Sequence, residues 1–471
     1  MREPDGGRAG GAAGSEGFLR SRSLWLDLLP EPLRPRPSLA GDTDADVVIV
    51  GAGYTGLWTA YHLCELDPRL RVVVLEAEIS GFGASGRNGG WCSALFPVAW
   101  PRVARAHGAE AARAMHRELV ATVEAVGAVC AREGIAAAYH RGGTLTLART
   151  DAQARRIRAA LAAEAELGLD TGVWLDAAAA RARLEVPGAL GAAYTPHCAR
   201  VQPAALARGL ASAVEARGVR IHERSPVREV SPGRVRTPGG TVRTDRIVLA
   251  TEAYTTRFRE LHRRVIPAFS LMIATEPLPD DVFTQIGWRG GETVTDARHL
   301  IVYAQRTADD RIAFGGRGAP YHYGSRIRDA YDHHPATFRA LREALTDLFP
   351  AVGGARITHR WGGPLAVPRD WHPWVRWSPV TRIGWAGGYV GDGVAAAALA
   401  GRTLADLLTG TDTHRLRLPW VDHHAPDWEH EPLRWLGVNA AARAAALLDR
   451  AEARGRPLPG LERWLDHLTG H

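Results

Sequence analysis

The chain has 471 residues, 46% hydrophobic and 23% charged, and its 58 basic against 51 acidic residues give a formal net charge of +7. That length exceeds what one core organises and the balance is that of a folded chain, so a lone small module and wholesale disorder are both excluded. Every basic residue is arginine, which removes a lysine Schiff base and a Walker P-loop lysine from the available chemistries.

Residues 1–43 are rich in glycine, arginine and proline around one apolar patch, Leu24, Trp25, Leu26, Leu28 and Leu29. The patch is expected to dock on the body while roughly the first 15 residues stay mobile. No apolar run precedes a small-residue cleavage site, so a cytoplasmic protein is expected. Four apolar residues at 47–50 run straight into Gly51-Ala52-Gly53-Tyr54-Thr55-Gly56, the pattern of a buried parallel strand entering a glycine turn. Leu57, Ala60, Tyr61 and Leu63 then recur at helical spacing, and an apolar run at 71–75 ends in Glu76, completing one strand–helix–strand unit. Helical periodicity follows over 103–133, 151–167 and 203–217, with short strands at 143–148 and 190–194. Strands at 219–222, 226–230 and 246–251 read as a return to the first sheet. The block 262–360 alternates like antiparallel strands at 269–275, 299–305 and 311–315, with one helix over 327–349. Residues 383–388 then enter an alanine-rich helix over 394–408, stopped by Gly410.

An α/β fold follows, in which a Rossmann sheet is interleaved with an antiparallel α+β domain. After the extension at 1–43, the nucleotide-binding domain is expected at 44–140, 201–262 and 361–412, the second domain at 141–200 and 263–360, and a helical tail at 413–471. Apolar stretches fall short of the roughly 18 residues a membrane span needs. The arginines are dispersed, usually beside Glu or Asp, so no nucleic-acid partner is expected. Cys64, Cys92, Cys130 and Cys198 lie too far apart in sequence for a disulfide framework or zinc site. The pairs His333-His334 and His423-His424 lack a carboxylate at ligand spacing, so no metal is expected.

Gly51, Gly53 and Gly56 give G-x-G-x-x-G between a strand and a helix, where the glycines serve the tight turn, the approach of a pyrophosphate and close packing. Glu76 ends the second strand, where a carboxylate accepts from a ribose and repels a 2′-phosphate. FAD and NAD share this half-site. The run Ser80-Gly81-Phe82-Gly83-Ala84-Ser85-Gly86-Arg87-Asn88-Gly89-Gly90 follows at once and suits a backbone lying against a phosphate and a flat ring. Gly387-Gly388-Tyr389-Val390-Gly391-Asp392-Gly393-Val394 opens the last helix, whose amides suit negative charge on a flavin pyrimidine.

With GASGRNGG at 83–90, IVLATEAYT at 247–255, IAFGGRG at 312–318, RWGGPLAVPRDWHPWV at 360–375 and GWAGGYVGDGV at 384–394, the sequence resembles the D-amino-acid oxidase (DAO) superfamily of FAD-dependent oxidoreductases. It is most similar to the bacterial branch that includes γ-glutamylputrescine oxidoreductases, over roughly residues 44–410. The resemblance implies a glutathione-reductase-like FAD domain, an antiparallel substrate domain over the flavin, and oxidation of a carbon–nitrogen bond. Gly51, Gly53, Tyr54, Thr55, Gly56 and Glu76 would hold the ADP half. Ser85, Arg87, Asn88, Gly89 and Gly90 would line the pyrophosphate and ring, Val227 the adenine, and Thr251, Gly388, Gly391, Gly393 and Val394 complete the set. Non-covalent FAD is expected, with Cys92 a buried thiol.

Hydride transfer from a small amine or amino acid, followed by hydrolysis of the imine, leaves the chemistry to the cofactor and asks the protein for a dry aromatic pocket and a polar anchor. Tyr254, Tyr303, Trp361 and Tyr389 are the aromatic candidates, Arg317 and Arg360 the candidate carboxylate forks, and His359 a neighbouring candidate. Dioxygen or another acceptor would take the electrons. Two alternatives are a flavin enzyme acting on RNA, suggested by the positive charge, and a non-catalytic dinucleotide-binding protein.

Overall fold

A computed structural model describes the backbone of residues 12–469 and the side chains of 16–465. Its first sheet runs in the order Trp374–Ser378, Ile383–Gly387, Gly240–Leu249, Thr43–Val50, Val72–Leu75 and Arg220–His222. All neighbours are parallel except the first two. Val47, Val48, Ile49, Val73 and Val74 are wholly buried because both faces of these central strands are covered, which is why they read as unbroken apolar runs. On one face lie the helices Tyr54–Leu66, Ala109–Arg132, Pro203–Glu215 and Gly393–Thr409. Gly401 lets the last of these press on the first, since a Cβ there would stand 2.7 Å from Trp58 Cβ and Thr59 N. Residues 226–230 do not join the parallel strands. Glu229–Ser231 instead pairs with Arg234–Thr237, which turns antiparallel onto Gly240–Leu249.

The second sheet has eight strands, in the order Ile357–Val367, Ile266–Thr275, Ile312–Gly316, Val302–Arg306, Thr293–Asp296, Thr144–Ala148, Gly191–Thr195 and Val173–Asp176. Only Thr293–Asp296 and Thr144–Ala148 run parallel. Ile357–Val367 pairs along its whole length with Ile266–Thr275, so the expected domain boundary between 360 and 361 cuts through one strand of this sheet. The expected helix over 327–349 begins only at Pro335, because proline supplies the first helical φ and the His334 side chain caps the Thr337 N–H. Likewise the strand expected from 299 starts at Val302. The amides of His299 and Leu300 donate instead to the Asp449 carboxylate, at 2.8 and 3.0 Å, on the C-terminal helix Leu433–Ala453.

The amino-terminal patch docks where the two sheets meet. Leu24, Trp25 and Leu26 are at most 1% exposed in a core shared with Ile79, Met272 and Trp361, whereas Leu28 faces solvent. Ser23 caps the turn Leu24–Asp27 through Leu26 N–H, and its own hydroxyl donates to Gly86 O at 2.8 Å. Trp25 Nε1 donates to Asn88 O at 2.8 Å, and its ring meets Trp361 edge-on at 6.1 Å. Of the roughly 15 residues expected to be mobile, 1–11 lie outside the described residues, and 12–15 belong to the helix Ala12–Arg20. Among the described residues no helix is long and apolar enough to cross a membrane.

Because Trp25 is fully buried and its indole holds the glycine loop, Trp25→Ala should cost about 3–5 kcal/mol of stability, read as a lowered urea midpoint.

Candidate active site

Four constraints at the head of the first sheet shape a cradle. Gly51 has φ +106° and a Cβ there would stand 2.5 Å from Ala250 O. At Gly56 a Cβ would fall 2.0 Å from Gly51 O, so the turn closes onto the helix only with glycine at both positions. The helix Tyr54–Leu66 has no side-chain cap at Gly53, which leaves its first-turn dipole facing the cradle. Tyr54 N–H meets Ser85 Oγ at 2.9 Å, drawing the second glycine-rich loop across the opening.

A cavity of about 1160 Å³ runs from this cradle in both directions. At one end Glu76 lies beside Glu78, Arg224 and Val227. Glu76 accepts from Ala52 N–H at 2.8 Å and Glu78 N–H at 2.9 Å, each oxygen keeping a lone pair for a ribose hydroxyl. Burial pushes its carboxyl up to about 7 against those two bonds. The other end is walled by Asn88, Thr251, Tyr254, Leu365, Tyr389, Gly391, Gly393 and Val394. There Tyr389 OH lies 3.0 Å from Thr55 Oγ1, joining the loop that precedes Gly393–Thr409 to the helix Tyr54–Leu66. The uncapped start of Gly393–Thr409 faces this end.

The structure therefore gathers Gly51, Gly53, Tyr54, Thr55, Glu76, Ser85, Asn88, Val227, Thr251, Gly391, Gly393 and Val394 around one cavity, with Tyr254 and Tyr389 in its wall. Several other candidates stand behind the wall. Gly56 acts through the turn alone. Arg87 does not face the cavity: its buried guanidinium bonds Asp332 Oδ2 (2.8 Å), Gly362 O (3.0 Å), Tyr254 OH (3.0 Å) and Gly83 O (3.3 Å), bracing the loop against the second sheet. Gly89 and Gly90 are packing glycines. A Cβ on the first would meet Tyr303 at 2.7 Å and one on the second Gln305 Nε2 at 2.0 Å, an amide that donates to Gly89 O. Gly388, at φ +77°, gives way to Pro368 and Trp374, and its N–H donates to Glu252 Oε2 at 3.1 Å.

The substrate candidates divide similarly. Tyr303 packs on Gly89 and Gly315 with its hydroxyl 2.8 Å from Ser270 Oγ. Arg317 is half-buried and donates to Val390 O at 3.1 Å in the last glycine loop. Trp361 is core rather than pocket wall, 3% exposed with Nε1 donating to Arg87 O. Arg360, its neighbour on an alternating strand, points the other way and is exposed. His359 is tied to Asp27 at 3.1 Å, on the amino-terminal arm. The sequence reading missed Glu252, a cavity-lining carboxyl pushed up to about 7 by burial and held by the Gly388 and Tyr389 amides. It also missed Asp332 and Asp392. Glu252 lies inside the quoted 247–255 motif, so its acidity there was the available signal. Among the described residues His299, Glu452 and Glu462 form one metal-like cluster, but the Arg156 guanidinium already bridges both carboxylates. No cysteine lines the cavity among the described residues, and Cys92 is fully buried.

A mainly parallel sheet with a glycine cradle, a half-buried carboxylate at the end of its second strand, and a mainly antiparallel sheet beside one large cavity are the features of a flavin oxidoreductase. The chain belongs to the DAO family, whose sequence model, described as FAD dependent oxidoreductase, matches residues 46–407. It is 32% identical over 381 residues to the gamma-glutamylputrescine oxidoreductase of Escherichia coli strain K12, covering 80% of this chain and 86% of that protein. Among solved structures it is similar to glycine oxidase from Geobacillus kaustophilus, with a TM-score of 0.65 and 22% identity over 81% of this chain and 100% of that one. L-proline dehydrogenase from P. horikoshii gives 0.65 and 20% over 82% and 98%. The cofactor is FAD, and the cradle and cysteine-free wall fit it without a covalent bond.

Two substitutions test this cofactor site. Gly56→Ala should yield colourless protein, seen in the flavin absorbance of the purified chain. Glu76→Ala should weaken FAD by about 1–3 kcal/mol in a fluorescence titration, since a ribose loses its acceptor.

Proposed function

We propose that this FAD-dependent oxidoreductase oxidises the carbon–nitrogen bond of a small amine or amino acid, with dioxygen or another acceptor taking the electrons, in the cytoplasm. The observation that carries this reading is the convergence of both sheets on the ring end of the cavity. The first contributes the free helix start at Gly393, and Arg317 on the second reaches the same glycine loop. When bound, FAD supplies the hydride acceptor, and the imine product hydrolyses in water.

The chain's own residues exclude water and orient. Tyr254 and Tyr389 wall the ring end, with Leu365 from the second sheet. Their hydroxyls are spent on Arg87 and Thr55, so the rings stand fixed. Arg317, a planar donor fork on a strand end, suits a carboxylate. The four cysteines are buried and unpaired, in keeping with a reducing compartment. The positive charge gives no support to an RNA-acting enzyme. Its arginines are spread over the surface in ion pairs such as Arg71–Asp46 and Arg243–Asp44.

Anaerobic titration of the yellow protein with a panel of amines and amino acids should bleach the flavin band with at least one of them; a band that persists with all would refute the reading. With a carboxylate-bearing substrate, Arg317→Lys should raise KM by about tenfold or more at unchanged flavin content, because lysine does not reproduce a bidentate contact.

A further inference from the structure

A second cavity, of about 200 Å³, shares no lining residue with the cofactor cavity. Thr144 and Thr146 alternate with Leu145 and Leu147 on one strand of the second sheet, so the leucines enter its core and the threonines face the other way, into this cavity. Their cross-strand partners Thr195 and Ala193 line it too, and are equally small. The helix Asp151–Glu166 brings Ile157, Ala160, Leu161 and Glu164, the i, i+3, i+4, i+7 stripe of one helix face. The antiparallel ribbon of Trp91–Ser93 and Cys198–Arg200 adds a third wall. Cys92 enters the core of the first sheet, so its neighbour Ser93 turns to the cavity beside its cross-strand pair Cys198.

Two buried polar atoms of this lining meet no hydrogen-bond partner among the described residues. Ser93 is 2% exposed with its hydroxyl unpaired, and Nδ1 of His197 is unpaired as well. Buried polar atoms in folded proteins are nearly always bonded, so both call for a partner that the chain does not supply. Nε2 of His197 lies 3.4 Å from Asp170, whose carboxylate only accepts, and in the neutral ring this leaves Nδ1 as an acceptor. His116 packs edge-on against Trp100 and His197, at 5.4 and 5.9 Å, and burial pushes it down to about 4, so it stays uncharged. Glu164 already takes the Thr171 hydroxyl at 2.6 Å. All 58 basic residues of the chain are arginine, yet among the described residues none lines this cavity, so an anion finds no cation here. The rest of the wall is apolar, with Trp100, Ile157 and Leu161. Since an apolar cavity of about 150 Å³ holds benzene, this one has room for a small substituted ring.

We propose that this cavity is a second small-molecule site, which takes an uncharged, largely apolar alcohol or phenol whose hydroxyl donates to His197 Nδ1 and accepts from Ser93. The site does not depend on the substrate assigned to the flavin. Its Ser93 stands five residues after Asn88, a residue of the cofactor cavity, on the strand that the glycine loop runs into.

The test titrates the FAD-loaded enzyme with phenol, toluene and benzoate, read by calorimetry. Wild type should bind phenol about tenfold or more tightly than toluene, because toluene leaves the buried polar atoms unpaired, and benzoate least of the three. Ser93→Ala should weaken phenol by about threefold or more and leave toluene unchanged. Its melting temperature should not fall, since the hydroxyl removed has no partner in the protein. Ala160→Phe fills the cavity from the helix side and should abolish the binding of both phenol and toluene, while flavin content and bleaching by amines stay as in wild type. Should Ala160→Phe fail to fold, Ala193→Val, which narrows the cavity from the sheet, is measured instead and should weaken both. Phenol bound by the filled variant as tightly as by wild type sits elsewhere, in the flavin cavity or on the surface, and overturns the proposal. So does a wild type that takes up no phenol, whose cavity then holds water only, or one that prefers benzoate.

Discussion

The buried guanidinium of Arg87 is the interaction on which the two-sheet arrangement turns. It reaches Gly83 in its own loop, Tyr254 after the strand Gly240–Leu249, Asp332 before the helix Pro335–Leu348, and Gly362 in the second sheet. A charge sealed from water is tolerated only with its partners in place, so all four segments must arrive together. Asp332 is shared with Arg22, which brings the amino-terminal arm into the same knot, and burial raises its carboxyl despite both cations. The knot sets the distance between the sheets, and with it the width of the cavity.

Within that frame the cofactor cavity is bounded by two carboxyls of the same construction. Glu76 at the ribose end and Glu252 at the ring end are each held by two backbone amides and each pushed up to about 7. Among the described residues neither closes an ion pair with an arginine. Their positions are set by the backbone turns themselves, which is more rigid than a side-chain partner would be. The hydrogen-bonding capacity left on them points to donors from the cofactor or its immediate surroundings.

The strand, glycine turn and acid at 47–76 were legible in the sequence because they are short-range: an unbroken apolar run needs two covered faces, and the turn needs glycine at Gly51 and Gly56. The second sheet was legible as a class but not in its faces. Trp361 and Arg360 carry suggestive chemistry side by side, yet alternation on one strand sends the first into the core and the second to solvent. Nothing local tells which way the strand is turned. Arg87 was misassigned for a related reason, since three of its four partners, Tyr254, Asp332 and Gly362, lie more than 150 positions away in the chain. The helix before 349 was drawn too long because apolar spacing outvoted Pro335.

The amino-terminal arm carries a consequence for how the enzyme is made. Ser23 and Trp25 meet carbonyls of the loop 83–90, but Trp25 also needs Trp361, and the loop's arginine needs Asp332 and Gly362. A chain synthesised from its amino terminus thus carries an arm and a glycine loop that wait, unfinished, until most of the polypeptide has left the ribosome. Flavin capture is placed at the end of biosynthesis, and the nascent Rossmann strands must survive until then with their ligand cleft open.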